Sequence, residues 1–153
     1  MKMKLMSGLA IICMLMACND DDDSSVNNTN PAIAEIVNTV NQGTWRISTY
    51  TDDGVDETGH FTGYVFTFDD NNVLTATNQV NTYTGTWSVT DSNSNDDSPE
   101  SDVDFNISFA APANFAELTD DWDILSRTGD RIRLVDVSGG NGGTDYVTFD
   151  KIN

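Results

Sequence analysis

The 153-residue chain has only two cysteines, Cys13 and Cys18, and both fall in its first eighteen positions. It has one histidine, His60, and only seven lysines and arginines against 25 aspartates and glutamates, a formal net charge of −18. Each scarcity closes a class of function. So few basic groups on so acidic a chain would repel phosphates, which excludes direct nucleic-acid binding. Past Cys18 no thiol remains for a disulfide, a zinc–thiolate centre or a cysteine nucleophile. There is no Gly-x-Ser-x-Gly elbow, and the single histidine lies in an acidic loop, so a serine-hydrolase triad has no base in place. No carboxylate falls at an inward strand position beside aromatics, where a raised pKa would suit glycosidase work. The chain reads as non-enzymatic, with no cofactor. The longest apolar run, Leu5 to Met16, is also too short to span a bilayer, which takes about 20 residues.

What that run does make is an address. Lys2 and Lys4 precede it and Ala17-Cys18 follow it, the layout of a secretory signal. Leu15-Met16-Ala17-Cys18 resembles the lipobox of bacterial lipoproteins. That resemblance implies removal of residues 1–17, diacylglyceryl transfer to the Cys18 thiol and membrane anchoring through several acyl chains. Loss of Lys2 and Lys4 then leaves 5 basic residues against 25 acidic ones, a net charge of −20. Asn19-Asp20-Asp21-Asp22-Asp23 resembles the acidic export signal of surface lipoproteins in Bacteroidota. The expected location is the outer membrane at the cell surface, with a periplasm-facing position as the alternative. Residues 18–30 read as an acidic flexible tether.

The domain occupies residues 31–153. Asn30 and Pro31 supply a cap and a first helical position. Ala32, Ile33, Ile36, Val37 and Val40 then mark one apolar helix face, and Gly43 ends it. Eight runs of alternating residues follow: 44–50, 63–68, 73–78, 82–90, 103–109, 121–126, 131–137 and 145–152. Turn-forming clusters at 52–54, 69–72, 128–130 and 139–143 separate several of them. One apolar and one polar face per strand implies an antiparallel sheet wetted on one side. The expected fold is all-β: an eight-stranded antiparallel up-and-down barrel with a short N-terminal helix. A sandwich of two four-stranded sheets is the alternative. Segment 112–119 reads as a helical turn across one end, and Thr51–Thr62 as the lid over the open end.

Gly43-Thr44-Trp45, after a short helix and at the start of the first strand, resembles the Gly-x-Trp signature of lipocalins. Residues 42–153 are similar to short lipocalin-like lipoproteins of Bacteroidota. The resemblance implies that Trp45 packs across the closed barrel end, with a basic side chain near the end of the last strand, here Lys151, lying over it. The chain departs from the lipocalin pattern in having no disulfide and no helix after the barrel. A second Gly-Thr-Trp, at 85–87, lies within a strand.

The inward faces collect Trp45, Tyr64, Phe66, Phe68, Tyr83, Trp87, Phe105, Ile107, Phe109 and Trp122. An eight-stranded barrel is just wide enough to be filled by such side chains or to hold one small ligand. The candidate ligand-binding residues are Trp45, Tyr64, Phe66, Tyr83, Trp87 and Phe105, and the ligand they suit is small, flat and apolar, oriented by the Tyr64 and Tyr83 hydroxyls. Asp91 to Asp97 offers oxygen ligands at alternate positions but lacks the glycine and distal glutamate of a calcium loop. It reads as a solvated acidic loop, and no metal site is expected. The sequence therefore points to a tethered monomer, either a barrel holding an apolar ligand or a surface β-sandwich that binds glycan or another protein.

Overall fold

Alternation of the kind described above closes a cylinder. The computed structural model describes residues 30–91, 103–138 and 143–152. The signal segment 1–17, Cys18, most of the acidic tether, and most of the 91–97 and 139–143 loops lie outside the described residues. Helix α1 spans Pro31–Val40, and the Asn30 side chain accepts from the Ala32 amide at 3.0 Å, as a capping residue should. Strands follow at Thr44–Asp52 (β1), Val55–Asp56 (β2), Val65–Phe68 (β3), Val73–Thr77 (β4), Thr82–Asp91 (β5), Val103–Ser108 (β6), Asp120–Arg127 (β7), Arg131–Val137 (β8) and Thr144–Ile152 (β9). A 3₁₀ turn at Thr58–Phe61 and a short helix α2 at Ala113–Ala116 interrupt the series.

Every pairing is antiparallel, and β1 and β3 to β9 each pair with the next barrel strand in the chain. β9 returns to β1 along a ladder from Thr44↔Ile152 to Thr51↔Tyr146, which closes an eight-stranded barrel and rules out the sandwich. Closure leaves no open sheet edge among these eight strands. The two-residue β2 folds back on the end of β1 as an appendage.

All strands run between the same two ends. The first end holds α1, the 69–72 turn and the 128–130 turn. The second, here termed the mouth, holds the 53–64 and 109–119 segments and the 78–81 turn. The interior is apolar throughout: among the described residues Asn30 is the one polar side chain classed as buried. Ile36 and Val40 of α1 are buried against the first end, so the helix works as a cap.

One departure from strict alternation shapes the mouth. Trp45 and Ile47 face inward, but the β1–β9 register shifts between Ile47 and Thr49. This bulge flips the parity of the strand, so Tyr50 and not Thr49 enters the core. A second shift lies between Ile124 and Ser126, after which Leu125 points to solvent.

Candidate functional site

The first end is built on Trp45. Its indole is fully buried, and Nε1 donates to the Val40 carbonyl at 2.9 Å, tying the barrel floor to the last residue of α1. Lys151 reaches back over the ring with Nζ 5.0 Å from its centre, the arrangement expected from the lipocalin resemblance. Gly43, in a positive-φ conformation (+104°), lets the chain turn from α1 into β1 directly beneath the Lys151 stem. The other two tryptophans are anchored in the same way. Trp87 Nε1 donates to the Asp69 carbonyl and Trp122 Nε1 to the Leu118 carbonyl, each at 3.0 Å. Each indole thus satisfies its buried donor on a connecting segment and fixes that segment to the wall.

Between the ends, aromatic rings fill the middle. Phe68 contacts Trp87, Phe105 and Phe149 edge to face, with centroids 5.3, 5.7 and 5.5 Å away, and Phe66 meets Phe149 at 5.5 Å. Of the six candidate ligand-binding residues, Trp45, Phe66, Trp87 and Phe105 are therefore packed against other side chains in the interior. Tyr64 and Tyr83 lie half-buried at the mouth, their rings stacked 5.8 Å apart. The Tyr64 hydroxyl beside it pushes the Tyr83 phenol upward.

The mouth carries a plug that periodicity did not reveal. Phe115, from α2, is fully buried and touches five rings: Tyr83 at 4.8 Å, Tyr64 at 5.0 Å, Phe61 at 5.2 Å, Phe109 at 5.3 Å and Phe66 at 6.1 Å. Phe61, from the 3₁₀ turn, packs edge to face on Tyr50 at 5.2 Å. The 51–62 segment does cover the mouth, and it sends a phenylalanine inward rather than standing off as a loose lid.

Polar groups hold this plug in place. The Tyr50 hydroxyl donates to the Glu117 carbonyl at 3.0 Å, and the Tyr50 carbonyl accepts from the Glu57 amide at 3.0 Å. The Tyr50 amide donates to Thr58 Oγ1 at 2.8 Å, and Thr119 Oγ1 accepts from the Phe109 amide at 2.9 Å. Burial pushes the Tyr50 phenol well above its ordinary range, so it stays a donor. Outside the plug, His60 Nδ1 lies 3.6 Å from Glu57 Oε2 and 3.8 Å from Glu117 Oε2. Partial burial, and then the neighbouring Glu57 carboxylate, raise the Glu117 carboxyl. Two of the three stand close in sequence as Glu57-x-x-His60, of which only the histidine stands out in the sequence. Glu117 joins them only through the fold.

No family model matches the chain, and no curated protein matches it. Among solved structures, a DUF4847 family protein from Bacteroides vulgatus ATCC 8482 is similar to it, with 16% identity, a TM-score of 0.47, and coverage of 77% of this chain and 99% of that one.

At the first end, between α1 and the ends of β6 and β7, lies a groove of about 480 Å³ lined by Ala32, Ile36, Val103, Ile124, Leu125 and Arg127. The ion pair between Arg127 and Glu35, 2.9 Å apart, links this part of β7 to α1.

Proposed function

We propose that the chain is a lipid-anchored lipoprotein of the cell envelope, a non-enzymatic binding or structural module carried on an acidic tether. The observation that carries the anchoring is Leu15-Met16-Ala17-Cys18 at the end of a short apolar run behind two lysines, ahead of helix α1 at Pro31 and the first barrel strand at Thr44. The acidic run after Cys18 favours the cell surface of the outer membrane over a periplasm-facing position. The proposed work of the barrel is to hold a small, flat, apolar ligand at the mouth. Such a ligand would take the place of the Phe115 ring against Tyr64 and Tyr83, whose hydroxyls would orient it.

A specific observation also favours the protein-binding or glycan-binding alternative. Val55, Val80 and Val137 are exposed by 58%, 86% and 65%, and all three sit at the mouth, on β2, the 78–81 turn and the end of β8. Apolar side chains gathered at one pole of an otherwise acidic surface suit a partner that docks end-on.

Three experiments test these readings, the first the anchoring and the other two the choice of ligand. Cys18→Ala should abolish palmitate labelling and leave the precursor unprocessed, and surviving labelling would overturn the anchoring. A small aromatic probe should change tryptophan fluorescence if the mouth takes a ligand. Retention on a polysaccharide column with no such change would favour the glycan module.

A further inference from the structure

We propose that Glu57, His60 and Glu117 form a three-ligand site for a divalent transition-metal ion of the zinc class, which clamps the 58–61 turn to α2 over the barrel mouth. One ligand atom from each residue lies within 4.8 Å of the other two. In a tetrahedral site with bonds of 2.0–2.2 Å, ligand atoms stand about 3.3–3.5 Å apart. The observed 3.6 and 3.8 Å from His60 Nδ1 to the two carboxylates need only a few tenths of an ångström of closure, and the Glu57 and Glu117 oxygens, within 4.8 Å of each other, need at most about 1.5 Å, which side-chain rotation can supply.

A second observation singles this cluster out from the many surface carboxylates. Glu57 Oε2 is inaccessible to solvent, on a side chain otherwise 27% exposed, and no donor lies within hydrogen-bond distance of it; the ion-pair partner His60 Nδ1 stands off at 3.6 Å. An orphaned carboxylate oxygen costs free energy unless a cation or donor completes it. The backbone also holds the ligands ready. The Glu57 amide and the Glu117 carbonyl are both bonded to Tyr50, the first to its carbonyl and the second to its hydroxyl. One residue thus holds together the two backbone segments that carry these like-charged side chains, whose repulsion alone would oppose the approach. His60 and Glu117 remain 44% and 38% exposed, which leaves an entry path and room for a water as fourth ligand.

The donor set decides the class of ion. One imidazole nitrogen with two carboxylate oxygens suits zinc and its first-row neighbours. Calcium takes six to eight oxygens, and magnesium keeps most of its waters. The inference does not depend on lipidation or on an apolar ligand.

The test is titration calorimetry of the full chain with zinc chloride after chelator treatment, with Cys13→Ser and Cys18→Ser so that no thiol competes. The expected result is one zinc ion per chain, a raised thermal midpoint, and no displacement by excess calcium. His60→Ala and Glu57→Gln should each weaken binding at least tenfold while leaving the circular dichroism spectrum unchanged. Hydrogen exchange at 58–61 and 113–116 should slow when zinc is added. Zinc binding that is untouched by His60→Ala, or that vanishes in high salt, would reduce the site to diffuse attraction by the acidic surface. Zinc bound without slower exchange would overturn the clamp.

Discussion

The Lys151 ammonium lies 5.0 Å from the centre of the Trp45 ring, and the two residues are cross-strand partners in the ladder that closes the barrel. The contact therefore reinforces the joint between the first and last strands. Trp45→Ala should destabilise the domain by about 3–5 kcal/mol, because it empties a fully buried site and leaves the Val40 carbonyl without its donor. Lys151→Met keeps the stem but loses the charge, and should cost about 0.5–1 kcal/mol. Urea denaturation of both variants checks this. A Trp45→Ala loss within about 0.5 kcal/mol would mean that the ring is not part of the core.

Phe115 is the removable element of the mouth. Phe115→Ala should cost about 3–5 kcal/mol and leave an apolar space beneath Tyr64 and Tyr83. Dry cavities of this kind take up small aromatic molecules. Benzene or indole should therefore raise the thermal midpoint of the variant and not that of the unaltered chain. If neither probe stabilises the variant, the surrounding rings have collapsed into the space and the mouth is not a latent pocket.

Gly85 sits where no side chain fits. A Cβ there would strike the Ser108 carbonyl and come within 2.8 Å of the Phe109 ring. Gly85→Ala should therefore destabilise by about 1–3 kcal/mol, despite the better strand propensity of alanine. Equal urea midpoints would show that the Ser108 carbonyl and the Phe109 ring can both give way freely.

Two carboxylates should respond to pH in opposite directions. Arg131 donates to Asp150 from Nε at 2.6 Å and from a terminal nitrogen at 3.1 Å, and this holds the Asp150 carboxyl below its ordinary range. Its contribution is complete above the unfolded value, about 3.9, and is lost as pH falls through the lower folded value. Asp120 is the reverse case. Burial pushes its carboxyl up, so its charge costs stability at neutral pH and the cost disappears in acid. At pH 7 Asp150→Asn should destabilise and Asp120→Asn should stabilise, each by no more than about 1 kcal/mol, since both sites are partly solvated. As pH falls from neutral, the Asp120→Asn urea midpoint should converge on that of the unaltered chain first, while the Asp150→Asn difference should persist until about pH 3.9 and only then begin to shrink. Shifts of the same sign at pH 7 would refute the assignment.

Much of this barrel was legible in the sequence. Each of the eight predicted runs overlaps one barrel strand, because the period-two pattern is itself the record of one wet and one dry face. Trp45 and Lys151 were legible through a short motif. Tyr50 was not, since a bulge leaves no mark in composition yet reverses which residues point inward. Phe61 and Phe115 escaped for another reason. They come from a 3₁₀ turn and a four-residue helix, too short for any periodicity, and only the closed wall brings them to one mouth. The grouping of Glu57, His60 and Glu117 was hidden in the same way. The boundaries moved little: the strand expected at 63–68 begins at Val65, which leaves Tyr64 in the connection just before it.

The pairing of Thr44 with Ile152 sets both chain ends of the barrel at the Trp45 pole. β9 has nine residues and spans about 30 Å along its own length, or roughly 20–25 Å along a tilted barrel axis. Whatever holds this chain by its N-terminus therefore reaches it at the Trp45 pole, and the tyrosine, phenylalanine and carboxylate groups of the far pole stay clear of that attachment.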